Sequence, residues 1–269
     1  MTTKAPTKRQ RARRIFGFSI LLLLTVSTIA CGSSTTSSTA SDTSVSGSLT
    51  VSAASSLQGA FTDMKTAFEK ANRGVKVTVN FGASSTLAQQ IIDGAPIDVL
   101  ASADEANMTK VSDAKLLSDA PTLFATNSLE IIVRKGNPSK IASLSDISKP
   151  GLIYVTCAPQ VPIGKYSAQV LQKAGVTVTP ASLEPDVKSI VAKVTAGEAD
   201  VGIVYATDVS ATQGAAEGVA IPADVNVTAN YPIAAVSTST NRALAQAWIA
   251  FVRGTEGQAI LKSYGFGSP

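Results

Sequence analysis

The stretch Phe81-Gly82-Ala83-Ser84-Ser85-Thr86-Leu87-Ala88-Gln89-Gln90-Ile91 sets the reading of the whole chain. A β-branched apolar run from Val75 to Val79 leads into it, and Leu87, Ile91 and Ile92 after it share one helical face. The Ser/Thr cluster therefore stands where a strand ends and a helix begins. Such a junction gathers unpaired backbone N–H groups, the positive end of the helix dipole and side-chain hydroxyls, which suits an anion. Ordinary helix capping explains one such cluster equally well. A second junction of the same kind, Ala53-Ala54-Ser55-Ser56-Leu57, follows the first strand and strengthens the anion reading.

Outward from this stretch the pattern repeats. Leu49–Ala53 reads as a buried strand, and Ser56 opens a helix whose apolar face is Leu57, Ala60, Phe61, Met64, Ala67, Phe68 and Ala71. Val75–Phe81 is the next strand, Leu87–Asp93 the next helix and Ile97–Ala101 the third strand. The order β-α-β-α-β, with long crossovers, predicts parallel pairing. After a short helix at Ala103–Val111, Ser128–Val133 is a strand, and Leu152–Thr156 starts a second βα series. That series continues through helices at Lys165–Ala174 and Val187–Ala196 and a strand ending in Tyr205. Tyr231–Val236 is a closing strand, and the helix Arg242–Val252 buries Leu244, Trp248 and either Phe251 or Val252.

The 269 residues do not all belong to this fold. Residues 1–30 read as a signal peptide: Lys4, Lys8, Arg9, Arg11, Arg13 and Arg14 precede the apolar run Ile15–Ala30. Thr28-Ile29-Ala30-Cys31 resembles a bacterial lipobox, which implies that Cys31 is lipidated and holds the protein to the outer face of the cell membrane. Residues 31–47 are rich in Ser, Thr, Ala and Gly and read as a tether with a reach on the order of 20–25 Å. Six of the 23 Lys/Arg fall in the signal and none of the 19 Asp/Glu do, so the exported part carries 17 − 19 = −2. With no basic run left, nucleic acid is not an expected partner.

The chain has no histidine, which removes the usual general base, the usual zinc ligand and the Ser-His triad together. No free metal cation and no cofactor are expected. Ser112-Asp113-Ala114-Lys115 fits S-x-x-K, but S-D-N and K-T-G are missing, so a Ser/Lys hydrolase is the weaker reading and the chain is not expected to be an enzyme. What remains is a set of hydroxyls and amides at strand-to-helix junctions: Ser55 and Ser56, Ser84 and Ser85, Ile163-Gly164, Asp186-Val187, and Tyr205 at a strand end. In an open α/β protein such ends converge on the ligand cleft.

These residues resemble a known family, the molybdate-binding proteins that feed ABC transporters. The motifs that carry the resemblance are A-A-S-S-L (53–57), F-G-A-S-S-T-L-A-Q-Q-I (81–91), G-A-P-I-D-V-L-A-S-A-D (94–104), V-P-I-G-K-Y (161–166), D-V (186–187), G-I-V-Y-A-T-D (202–208) and Y-G-F (264–266). The resemblance implies an α/β, two-lobed periplasmic binding protein fold (type II-like) with the ligand cleft between lobes. Lobe one is then 48–126 plus 231–269 and lobe two 127–230, with hinges near Ala125–Ser128 and Asn230–Tyr231. It further implies that Ser56 and Ser84 offer hydroxyls, Ile163 and Val187 backbone N–H groups and Tyr205 its phenol to an oxyanion. Ser55 and Ser85 are secondary candidates. The implied ligand is molybdate, with tungstate alongside it. The implied partner is an ABC permease in the membrane, and the implied state is a monomer. A sulfate- or phosphate-binding protein of the same architecture is the alternative.

Overall fold

The computed structural model describes residues 46–269; the signal, Cys31 and all but the end of the tether lie outside the described residues. The first strand, β1 (Gly47–Ala54), runs parallel to β2 (Val75–Gly82) and to β3 (Val99–Ala101). Between β1 and β2 lie a 3₁₀ turn at Ser55–Leu57 and α1 (Gln58–Ala71). Between β2 and β3 lies α2 (Ser84–Ile92), and after β3 comes α3 (Glu105–Asp113). Of the apolar face read from the sequence, α1 buries Ala60, Phe61, Met64 and Phe68, whereas Ala67 is half-buried and Ala71, the last residue of the helix, is exposed.

The chain then enters β4 (Thr122–Arg134), which starts six residues before the strand expected at Ser128. Its first part pairs antiparallel with β9 (Thr228–Ala235), Thr126 lying opposite Asn230. Its second part pairs antiparallel with β7 (Val201–Tyr205) and β8 (Ala216–Ala220). One strand thus belongs to both parts of a nine-stranded sheet, ordered β2-β1-β3-β9-β4-β7-β5-β6 with β8 added on β4. Here β5 is Tyr154–Cys157 and β6 is Ser182–Glu184, and β5 lies parallel to both β6 and β7. The helices of this second part are α4 (Pro162–Lys173), α5 (Val187–Ala196) and α6 (Ala206–Ser210). The chain ends in α7 (Arg242–Arg253) and α8 (Thr255–Ser263), and α7 buries Val252 rather than Phe251 beside Leu244 and Trp248. The result is a two-lobed α/β fold.

Strands β6 and β8 and helices α6 and α8 were not expected from the sequence. Each is short, and β8, Ala-Glu-Gly-Val-Ala, buries little beyond Ala216, so it lacks the apolar alternation that marks a strand. An aromatic chain knits the core together. Trp248 packs edge-on against Phe68 and Phe61, Phe61 lies 5.9 Å from Phe124, Phe124 6.2 Å from Tyr231, and Tyr231 5.8 Å from Tyr205. It ends on the phenol that the sequence singled out.

Candidate oxyanion site

Strand register explains why distant serines meet. Ala54 lies opposite Gly82, and Ala53 opposite Ala101, so three neighbouring parallel strands end at the same level. The chain leaving them delivers Ser55-Ser56, Ala83-Ser84 and Ser102-Ala103 to one edge. In the other part of the sheet, β5, β6 and β7 likewise lead into α4, α5 and α6. The two sets of ends border one partly open cavity of about 210 Å³, its mouth included, lined by Ala54, Ser55, Ser56, Gly82, Ala83, Ser84, Ala103, Val161, Pro162, Ile163, Val187 and Tyr205.

Of the residues picked from the sequence, Ser56, Ser84, Ile163, Val187 and Tyr205 all line this cavity, and so does Ser55. Ser85 does not. It faces a separate surface groove with Thr86, Gln89 and Lys110, because one residue of helical rotation carries it about 100° away from Ser84. Asp186 is turned away too: its carboxylate accepts from the Ser189 N–H at 2.9 Å and caps α5. The S-x-x-K residues end α3 in a turn, where the Lys115 N–H donates to the Ser112 carbonyl and Lys115 is exposed with φ 61°. The two side chains do not form a buried nucleophile pair.

Hydrogen bonding fixes which way the hydroxyls face. Ser84 Oγ accepts from the Ala103 N–H at 2.9 Å, which occupies a lone pair and leaves the hydroxyl proton free to donate. Ser56 Oγ lies 3.0 Å from the Tyr231 hydroxyl. When Tyr231 donates, the Ser56 proton is likewise free. The Tyr205 hydroxyl is buried, Tyr205 being only 1% exposed, and has no partner among the described residues. Burial pushes its phenol well above the ordinary tyrosine range, so it remains a neutral donor. A buried donor left without an acceptor costs roughly 1–3 kcal/mol, which is recovered when an acceptor enters the cavity.

The other wall works through the backbone. Ile163 and Val187 stand in the first turns of α4 and α5, where N–H groups have no intrahelical acceptor. Pro162 opens α4 without sacrificing a needed donor. Gly164 lets the helix start press against the backbone of Cys157 and Ala158, which a Cβ would strike. The cavity lining contains no Asp, Glu, Lys or Arg. It is a set of hydroxyl and amide donors on buried residues, suited to a small ligand that only accepts. Sequence reasoning missed Tyr231 and Ala103, which orient Ser56 and Ser84; the signal available was the run of small residues at three aligned strand ends.

Comparison with known proteins bears on this geometry. The family model described as bacterial extracellular solute-binding protein matches residues 49–267. The molybdate-binding protein ModA of Mycobacterium tuberculosis H37Rv is 40% identical over 248 residues, which cover 92% of this chain and 95% of that protein. Among solved structures, the substrate binding domain of a putative molybdenum ABC transporter from Clostridium difficile has a TM-score of 0.62 at 29% identity, covering 82% of this chain and 99% of that one. The sulfate-binding protein SubI from M. tuberculosis has a TM-score of 0.75 at 22% identity over 81% of this chain and 86% of its own, a likeness of fold. These relatives are solute-binding proteins rather than enzymes.

Proposed function

The chain belongs to the bacterial extracellular solute-binding protein family, and from that premise we propose that it captures molybdate outside the cytoplasm and delivers it to the membrane permease of an ABC importer. The observation that carries this reading is the cavity: donors from both parts of the sheet, an unpartnered Tyr205 hydroxyl and no carboxylate. Molybdate is a tetrahedral dianion with acceptors only, so the hydroxyls and backbone N–H groups of the wall can donate to it. Hydrogen phosphate brings a proton, and the lining offers no carboxylate to receive it. Sulfate has the right charge but is smaller, so it leaves donors at poor length. Tungstate, with the size and charge of molybdate, binds alongside it. The 40% identity to a molybdate-binding protein supports the same choice.

In this reading Ser56 and Ser84 donate hydroxyl protons, Ile163 and Val187 donate backbone N–H groups and Tyr205 closes the site, with Ser55 beside them. The lobes are 48–126 plus 231–269 and 127–230, and they close about the paired β4 and β9 near 125–128 and 230–231. The protein acts as a monomer with no cofactor and performs no catalysis. Cys31, the first residue after the signal peptide, carries the lipid that holds it to the membrane.

Calorimetric titration with molybdate, tungstate, sulfate and phosphate tests the ligand. Molybdate and tungstate should bind far more tightly than the other two; sulfate binding as tightly as molybdate overturns the assignment. Cys31→Ser tests the anchor, since it should release the protein from membranes or leave the precursor unprocessed.

A further inference from the structure

Just behind the cavity lies an ion pair that the binding site does not use directly. Lys188 follows Val187 in the first turn of α5, and its Nζ lies 2.7 Å from Oδ1 of Asp208. Asp208 is completely buried, and its Oδ2 has no hydrogen-bond partner among the described residues. It stands three residues after Tyr205, the residue that precedes α6, and its carboxylate faces the Tyr205 backbone N–H. Lys188 itself is about a third exposed. A buried carboxylate one turn from an anion site is a liability, because two negative charges at that range in a dry interior repel strongly.

We propose that Lys188 tunes the anion affinity of the cavity without lining it: it cancels the Asp208 carboxylate and ties the first turn of α5, with its Val187 N–H, to the β7–α6 junction that carries Tyr205. The inference rests on the oxyanion reading of the cavity. Lys188 is a positioning and charge-balancing residue; the donors remain those of the lining.

The groups around Asp208 are few. From α5 come Lys188 and Asp186, and Asp186 is bonded to the Ser189 N–H and hydroxyl. From β7, β9 and β5 come Tyr205, Tyr231 and Cys157, all raised by burial and therefore neutral near pH 7. From β4, Asn127 reaches Thr207 and does not titrate, while Glu130 lies against Gly218. From β8, Glu217 is turned to the Gly136 N–H. Lys188 is thus the only cation bonded to Asp208 among the described residues.

The test is molybdate titration of the full chain and its variants from about pH 6 to about pH 8.5. Wild type should bind with little pH dependence. In Lys188→Met the unpaired Asp208 is neutral when protonated and repels the ligand when ionised, so affinity should fall as pH rises, by about tenfold or more at the upper end. In Lys188→Met/Asp208→Asn the charge is gone, so the pH slope should vanish and most of the affinity return. Lys188→Arg should keep wild-type behaviour. Thermal unfolding of each variant checks that it is folded, and Lys188→Gln replaces Lys188→Met where that one is not. A role in packing alone predicts a loss that does not change with pH and that the second substitution fails to repair; that result, or wild-type binding by Lys188→Met at every pH, overturns the inference. Failure of the wild type to bind any of the four oxyanions is the separate result that removes the reading of the cavity itself.

Discussion

The two walls of the cavity are built on the same plan and present different chemistry. Each consists of three strand ends that feed helical turns. The first wall offers side-chain hydroxyls, Ser55, Ser56 and Ser84, held by a backbone N–H and by Tyr231. The second offers backbone N–H groups beneath apolar side chains, Ile163 and Val187, with the Tyr205 phenol as its one side-chain donor. A hydroxyl can be deleted by a substitution that hardly alters shape. A backbone donor survives almost any substitution at its own position. The first wall is therefore sensitive to residue identity, and the second to backbone path.

The largest effect should come from reversing the first wall. Ser84→Asp places a carboxylate, acceptor-only when ionised, against a dianion in a buried setting, since Ser84 is 1% exposed. Molybdate binding should fall below calorimetric detection. Unimpaired binding by this variant would mean that the ligand sits elsewhere.

Deleting single donors should cost less and should cost the same on both walls. Ser84→Ala and Tyr205→Phe should each weaken molybdate binding by roughly 1.5–3 kcal/mol, the range for hydrogen bonds to charge. They differ in the ligand-free state. The Ser84 hydroxyl satisfies the buried Ala103 N–H, so its loss destabilises the empty protein, whereas the Tyr205 hydroxyl has no partner there among the described residues. Tyr205→Phe should therefore raise the melting temperature without ligand while lowering affinity. Val187→Pro deletes a backbone donor instead. Val187 is the first residue of α5, where proline fits, and Asp186 before it is already extended at φ −155°. Its loss of affinity should match that of Ser84→Ala, and the helix should persist by circular dichroism.

The unequal chemistry of the walls also governs what could be read from the sequence. Ser56 and Ser84 were legible because a Ser/Thr cluster at a strand-to-helix junction has few other uses than capping and anion binding. Nothing in the side chains of Ile163 or Val187 marks them, since any residue supplies an N–H; their roles came only with the family resemblance. Ser85 was carried along by adjacency, and only the helical rotation separates it from Ser84. Tyr231 and Ala103 were invisible because their partners lie 175 and 19 residues away, and the pairings depend on register across the sheet. The fold was legible where apolar periodicity was strong, as in α1 and α7. It was not legible in β4, whose first half, Thr122–Asn127, mixes polar and apolar residues because it runs through the crossing between the two parts of the sheet.

The smallest effect on binding should come from Val187→Ala, and it is the sharpest check on the second wall. The substitution keeps the N–H, and alanine favours the helix at least as well as valine. Molybdate affinity should stay within about 0.5 kcal/mol of wild type, the usual scatter for a change that removes no interaction. Stability should still fall, because Val187 is only 3% exposed and belongs to the main apolar core. Two methyl groups leave a packed interior, for about 1–3 kcal/mol by transfer and cavity terms together. Denaturant unfolding and calorimetry on the same sample separate the two quantities. A loss of affinity comparable to that of Val187→Pro would mean that the Val187 side chain, rather than its backbone, meets the ligand. The contrast between a wall of side chains and a wall of backbone would then fail at its best-defined position.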